Sequence, residues 1–207
     1  MAGFKGWNKG ELELPDGRSV PCIFPIIVSA SRSTDIPAFF SQWFSNRMSA
    51  GYLKWTNPFN ANQTQYVSFK DTRVIVFWSK NPAPITKYLH EIDKKGINYY
   101  FQFTLNDYEH ENLEPNVPAL KSRIETFRRL SEQLGSKRVI WRYDPLILSD
   151  HLTPEILLER IKKVAESLKG YTEKLVISFA DIDSYKKVQN NLSKQQVPYR
   201  EFDRGLM

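Results

Sequence analysis

The chain has 207 residues, 41% of them hydrophobic and 25% charged, with a formal net charge of +6. That composition suits a globular protein with a substantial core. It excludes much else: no apolar run approaches the roughly 18 residues of a membrane span, and the single cysteine, Cys22, can neither form an internal disulfide nor alone hold zinc or an iron–sulfur cluster.

The N-terminal stretch has no apolar h-region, so a secretory signal is not expected. A single cysteine fits a reducing cytoplasm. Residues 1–24 read as an arm or hairpin turning at Pro15-Asp16-Gly17-Arg18. From residue 25 to 207, one domain is expected, because no linker or low-complexity tract divides it.

Short β-branched and aromatic runs then alternate with helix-period segments. Strands are predicted over Ile26–Ala30, Tyr52–Thr56, Val74–Trp78, Tyr99–Thr104, Val139–Tyr143 and Leu175–Phe179. Helices are predicted over Pro37–Ala50, Pro84–Lys95, Leu120–Leu134, Pro154–Leu168 and Ser184–Lys194, four of them followed by Gly51, Gly96, Gly135 and Gly170. Lys54–Phe69 breaks the rhythm and reads as a hairpin or two short strands around Asn-Pro-Phe-Asn. Repeated βα units imply a parallel sheet with right-handed crossovers. The chain is too short for the eight units of a full barrel, which need about 250 residues. The expected fold is α/β: a partial, TIM-like (β/α) barrel of five to six units. No glycine-rich phosphate loop is present, and the hydroxyl-rich turn after the first strand argues against a dinucleotide-binding fold.

In parallel α/β folds, function gathers where strands end. Ser31, Arg32 and Asp35 follow the first strand, Asn57 and Asn60 the second, and Trp78, Lys80 and Asn81 close the third. Gln102 lies inside the fourth, Arg142 and Asp144 end the fifth, and Asp181 follows the sixth. Arginines clamp carboxylate or phosphate groups, and helix N-termini favour anions. The set therefore fits a small anionic or nucleoside ligand. Each member also has a plainer reading. Asp35 suits a helix cap, Asn57 and Asn60 a turn, and Arg142–Asp144 a structural ion pair. His90, His110 and His151 have no ligand spacing, and no hydrolase motif is present. Whether the chain is an enzyme stays open.

Taken together, IIVSASRSTDIPAFF, YLKWTNPFN, VIVFWSKNPAP, YYFQFTLNDYE, RIETFRRLSEQLG, RVIWRYDPLIL and GYTEKLVISFADIDSYKKV resemble the prokaryotic family known as domain of unknown function 1848, over roughly residues 20 to 203. That family is similar to radical S-adenosylmethionine enzymes. The resemblance implies S-adenosylmethionine and a [4Fe–4S] cluster in full-length relatives, held by a C-x-x-x-C-x-x-C segment about 100 residues further on. This chain reads as a truncated form that stops at Met207 and carries no cofactor itself. The alternatives are a basic, non-catalytic module for nucleic acid or a partner protein, with Trp7, Trp55 and Trp78 as stacking surfaces, or an inactive gene product. Self-association is expected from the open edges of an incomplete barrel, and no membrane association.

Overall fold

The structure, a computed structural model, describes residues 6–31, 34–183, 189–190, 192–193 and 198–203. The chain divides into two compact units, Met1–Phe101 and Gln102–Met207. Among the described residues no helix is long and apolar enough to cross a membrane.

Unit 1 begins with the expected hairpin. Strands β1 (Asn8–Glu13) and β2 (Ser19–Phe24) pair antiparallel, and Asp16 holds the turn through the Arg18 backbone N–H at 3.1 Å. Next come β3 (Ile27–Ala30), a short helix α1 (Ile36–Phe39) and α2 (Ser41–Ala50). The single helix expected over Pro37–Ala50 is broken at Phe40, whose φ of −130° leaves the helical region. Gly51 ends α2 in the left-handed conformation, φ +82°, where a side chain would be strained.

The chain then forms β4 (Tyr52–Asn57) and β5 (Asn60–Ser68), an antiparallel hairpin. Strand β6 (Val74–Ser79) follows, then a 3₁₀ segment Ala83–Tyr88 and helix α3 (Leu89–Lys94). Pro82 and Pro84 have no N–H to donate, and the first turn of the helix expected over Pro84–Lys95 is 3₁₀ rather than α. Strand β7 (Asn98–Thr104) crosses the boundary between the units.

Unit 2 contains α4 (Leu120–Leu134), β8 (Val139–Leu146), α5 (Pro154–Leu168) and β9 (Leu175–Phe179). Both helices run over the residues predicted from periodicity. The helix expected over Ser184–Lys194 lies largely outside the described residues.

The expected partial barrel is not what forms. The strands fall into two sheets, a mixed one in the order β1-β2-β5-β4 and an open one in the order β3-β6-β7-β8-β9. Among the described residues the end strands β3 and β9 are not neighbours, and no closed barrel forms. Strands β3 and β6 pair parallel, as do β8 and β9. The error has a local cause. Tyr52–Thr56, counted as the second barrel strand, turns back at Asn57–Asn60 and pairs antiparallel with the polar strand β5. β5 also takes β2 as a parallel neighbour, so both strands of this hairpin leave the parallel series.

Each unit has its own core. In unit 1, Phe77 and Met48 are completely buried. Phe77 meets Phe44 edge-on at 5.4 Å and stacks on Phe101 at 5.0 Å. In unit 2, Phe103 stacks on Phe127 of α4 at 5.2 Å, and Arg128 on the same helix donates to the Ser167 carbonyl of α5 at 2.8 Å. Phe77→Ala should lower unfolding stability by about 3–5 kcal/mol, because it removes a buried ring and leaves a cavity. Phe59→Ala, at a ring that is 96% exposed, should change it by less than about 0.5 kcal/mol. Denaturant titration of the two variants checks both values.

Candidate functional site

Alternation along the strands decides which side chains meet. In β7, Phe103 faces α4, so its neighbours Gln102 and Thr104 point to the other side of the sheet. In β8, Val139, Trp141 and Tyr143 are buried while Ile140, Arg142 and Asp144 are half-buried. Strands β8 and β9 pair in parallel register until a shift between Tyr143 and Leu146, the position of Asp144. Such irregularities often re-aim a side chain beside a functional site.

Four polar side chains converge there. Arg142 Nε donates to Asp144 Oδ2 at 2.8 Å, and its Nη2 donates to the same oxygen. Arg142 Nη1 donates to Gln102 Oε1 at 3.4 Å. Ser178 of β9 donates its hydroxyl to Asp144 Oδ1. The Arg142 and Asp144 side chains keep 15% and 27% of their surface exposed, so the array is held from within and open at its edge.

A second layer fixes the first. Asn106 Oδ1 accepts the Asp144 backbone N–H at 2.9 Å, and Asn106 Nδ2 donates to Glu114 Oε1 at 3.0 Å. Arg123, 1% exposed, donates to the carbonyls of Asn106 and Pro118 at 3.0 and 2.8 Å and pairs with Glu114 at 3.5 Å. Burial pulls its guanidinium below the usual arginine value, and the Glu114 carboxylate opposes that shift. The sequence reading omitted Arg123 and Glu114. A signal existed for Arg123: it shares the apolar stripe Phe127, Leu130, Leu134 of α4, where an arginine needs an anchoring job.

Beside this layer, Tyr143 accepts the Asp107 backbone N–H at 3.3 Å, and burial pushes its phenol up to about 12. Burial also raises the half-buried Asp107 carboxyl, against the pull of Arg160. Arg160 itself clamps Glu111 with two 2.7 Å hydrogen bonds.

In unit 1 the strand-end residues serve the fold. Asp35 caps α1 by accepting from Ala38 N at 2.9 Å. Its other oxygen accepts from Ser79 Oγ at 3.0 Å and from the Lys80 backbone N–H at 2.8 Å. It therefore ties the β3–α1 turn to the end of β6. Asn81 donates its backbone N–H to Ser79 Oγ at 2.9 Å. Ser31 Oγ accepts from Ile36 N at 3.2 Å, and Trp78 Nε1 donates to Ser29 Oγ at 3.1 Å. Arg32 lies outside the described residues. Asn57 and Asn60 are at the tip of the β4–β5 hairpin, accepting the Phe59 and Asn62 backbone N–H groups at 2.9 and 3.2 Å. They shape a turn of the mixed sheet, at the end of no strand of the parallel series. Asp181 is exposed just beyond β9. Of the twelve candidates, then, unit 2 brings Gln102, Arg142 and Asp144 together, and unit 1 brings Asp35, Lys80 and Asn81 together around Ser79.

One feature has no counterpart in the sequence reading. Unit 1 carries an open hollow of about 670 Å³ whose lining includes Ser31, Phe40, Trp43 and Trp55. A second cavity of about 810 Å³, beside Glu13, Lys70 and Lys95, has more charged walls and no tryptophan.

Residues 27–206 match the model of the family described as Domain of unknown function (DUF1848), and the chain belongs to that family. No curated protein and no solved structure matches it.

Two variants test the geometry. Asp35→Ala removes a cap and two further hydrogen bonds, and should cost about 1–3 kcal/mol of stability, measured by denaturant titration. For Tyr143, the folded phenol titrates near 12 against an ordinary 10. Its neutral form thus stabilises the fold fully below about pH 10, and that contribution is lost as pH rises through about 12. The stability gap between the parent and Tyr143→Phe should narrow across that window. A gap that is constant from pH 9 to 12 would contradict the assignment.

Proposed function

We propose that this chain binds a small nucleoside-type ligand, one that carries both an anionic group and ring hydroxyls, at the carboxyl ends of β7, β8 and β9. The observation that carries this reading is the array Gln102–Arg142–Asp144–Ser178. An arginine guanidinium is the natural partner of a phosphate or carboxylate, and the Arg142 side chain keeps 15% of its surface exposed. A carboxylate beside it accepts hydroxyl donors, as from a ribose diol. The amide of Gln102 can read either donor or acceptor. The array is preorganised by Asn106, Glu114 and Arg123, so ligand binding need not order it.

The finer reading is a radical-S-adenosylmethionine-like protein of prokaryotic origin. S-adenosylmethionine offers both functions, an amino-acid carboxylate and a ribose diol. The cluster that such chemistry needs does not fit the residues present. Cys22 is the one cysteine of the 207, it is buried, and its thiol points to the Ile23 carbonyl at 3.3 Å. A [4Fe–4S] cluster takes several thiolates, so no reaction step is assigned to this chain.

Calorimetry with adenosine, adenosine 5′-phosphate and S-adenosylmethionine tests the binding. The two charged ligands should bind more tightly than adenosine. Arg142→Lys should weaken them about 10- to 100-fold, since the bidentate fork is lost, and should leave adenosine nearly unchanged. Equal weakening of all three would remove the anion-binding role, and no heat from any would remove the site. Binding of a single-stranded oligonucleotide with a steep salt slope would favour the basic-module reading instead.

A further inference from the structure

The 670 Å³ hollow of unit 1 follows one edge of β3. Ile27 and Ser29 point to one face of that strand and Val28 and Ala30 to the other, yet all four line the hollow. A hollow touched from both faces lies at the strand's side. β6 takes one side of β3, and among the described residues β3 has no second neighbour. The ladder fixes which backbone groups are left over. The Ile26 carbonyl faces β6 and accepts the Val74 N–H at 3.2 Å. Alternation turns Val28 and Ala30 towards β6 as well, and points the N–H and C=O groups of Ile27 and Ser29 the other way, into the hollow. Both residues are exposed.

An unpaired edge is a template for another chain, and folds usually guard it with charge, proline or a bulge. The outer strands of the mixed sheet are guarded in this way, β1 by Lys9, Glu11 and Glu13 and β4 by Lys54. β3 carries no charge and no proline, and its register with β6 has no shift. The walls beside it are apolar. Phe40 and Trp43, from the α1–α2 region, are 46% and 41% exposed. On the mixed sheet, pairing of Val67 with both Ile23 and Leu53 puts these three and Trp55 on one face, and all four line the hollow. Lys54 lies on the opposite face, over the Tyr66 ring, and among the described residues no Asp or Glu lines the hollow. Free backbone donors and acceptors at strand spacing, between uncharged apolar walls, complement an extended backbone with apolar side chains. A compact apolar molecule would cover the Ile27 and Ser29 groups without pairing them, at a cost in free energy. A second copy has no strand to offer here, because β3 lines the hollow and does not project from it.

We propose that β3 is a docking edge for an extended, uncharged segment of a partner protein, which adds as a strand beside Ile27–Ala30. Main-chain hydrogen bonds to Ile27 and Ser29 supply affinity, and Phe40, Trp43 and Trp55 select apolar side chains on the incoming strand.

The test uses the whole ¹⁵N-labelled chain and a capped peptide, acetyl-Ser-Val-Ile-Val-Phe-Ser-amide. A second peptide has the same side chains and a methyl on every backbone nitrogen, so it has no N–H to donate. Indole serves as a small apolar ligand without a backbone. With the first peptide, the Trp43 and Trp55 indole signals should shift and saturate, and hydrogen exchange at the Ile27 and Ser29 amides should slow about tenfold or more. Trp141, buried in unit 2, should stay in place. The methylated peptide should bind about tenfold or more weakly, having lost two or three hydrogen bonds of about 0.5–1.5 kcal/mol each. Ile27→Pro removes an N–H that the ladder to β6 does not use, and should weaken the first peptide similarly while leaving indole unchanged. The proposal is overturned if the first peptide moves none of these signals, or if both peptides bind alike. It is overturned too if indole fills the hollow and the peptide does not displace it, or if the free chain is a dimer in which Ile27 and Ser29 are already protected.

Discussion

Val139, Trp141 and Tyr143 are buried while Ile140, Arg142 and Asp144 are half-buried, and what unit 2 can do depends on that alternation. A parallel strand covered on both faces reads as a continuous apolar run. Strand β8 instead alternates, as a strand does when only one face is packed on a core. Its packed face supplies stability through large rings, with Tyr143 edge-on to both Trp141 and Tyr108. Its other face is therefore free to carry a guanidinium and a carboxylate. A charge on the packed face would cost several kcal/mol; on the half-exposed face it costs little and can be paired by its second neighbour along the strand.

That pairing would be unremarkable alone, because two side chains on one strand adjust easily. The segment after β7 is what fixes it. Asn106 reads the backbone on both sides of Asp144, accepting its N–H and donating to its carbonyl at 3.2 Å. Asn106 is itself held by the buried Arg123, and Arg123 is pinned by the carbonyl of Pro118 just before α4. Glu109 adds to this by accepting the Leu120 backbone N–H at 2.6 Å, which caps a helix whose own N-cap, Ala119, has no side chain to do so. The strand-end array and the start of α4 are thus parts of one hydrogen-bonded structure. Removing Arg123 would take the guanidinium donor from the Asn106 and Pro118 carbonyls and the cation from beside Glu114, a far larger loss than removing a surface ion pair.

Much of this was legible before any coordinates. Helices α4 and α5 were read to the residue, because apolar spacing, Gly135 beyond one and Thr153-Pro154 before the other all agree. Gln102 and Arg142 stood out because a polar group inside an apolar run must have a partner. Asp35 was legible as a cap, but its bond to Lys80 was not, since it links residues 45 apart. The barrel expectation failed at one place. Tyr52–Thr56 has the composition of a buried strand, and its mate β5, with four of its first five residues polar, carries no sign of the core it edges. The cavity was illegible for a similar reason: its walls come from residues 7 to 67, and no local pattern joins Trp7 to Trp55. The hint was the crowding of Ile36, Phe39, Phe40, Trp43 and Phe44, too many large apolar groups for one helical stripe. Only Phe44 of these five is buried.

The two units differ in what their strand ends have left to offer. In unit 1, Asp35 spends one carboxylate oxygen on a helix cap and the other on the end of β6. A carboxylate bound that way holds a turn, and a ligand would have to break structural bonds to reach it. In unit 2, the carboxylate of Asp144 is held by side chains, Arg142 on its own strand and Ser178 on β9, and the two charged side chains stay partly exposed. Similar residue types at similar strand positions therefore reach opposite ends, and the difference is set by partners. Backbone N–H donors commit an acid to the fold, whereas side-chain donors keep it oriented and available. The array of unit 2 is for that reason the one proposed above to meet a ligand.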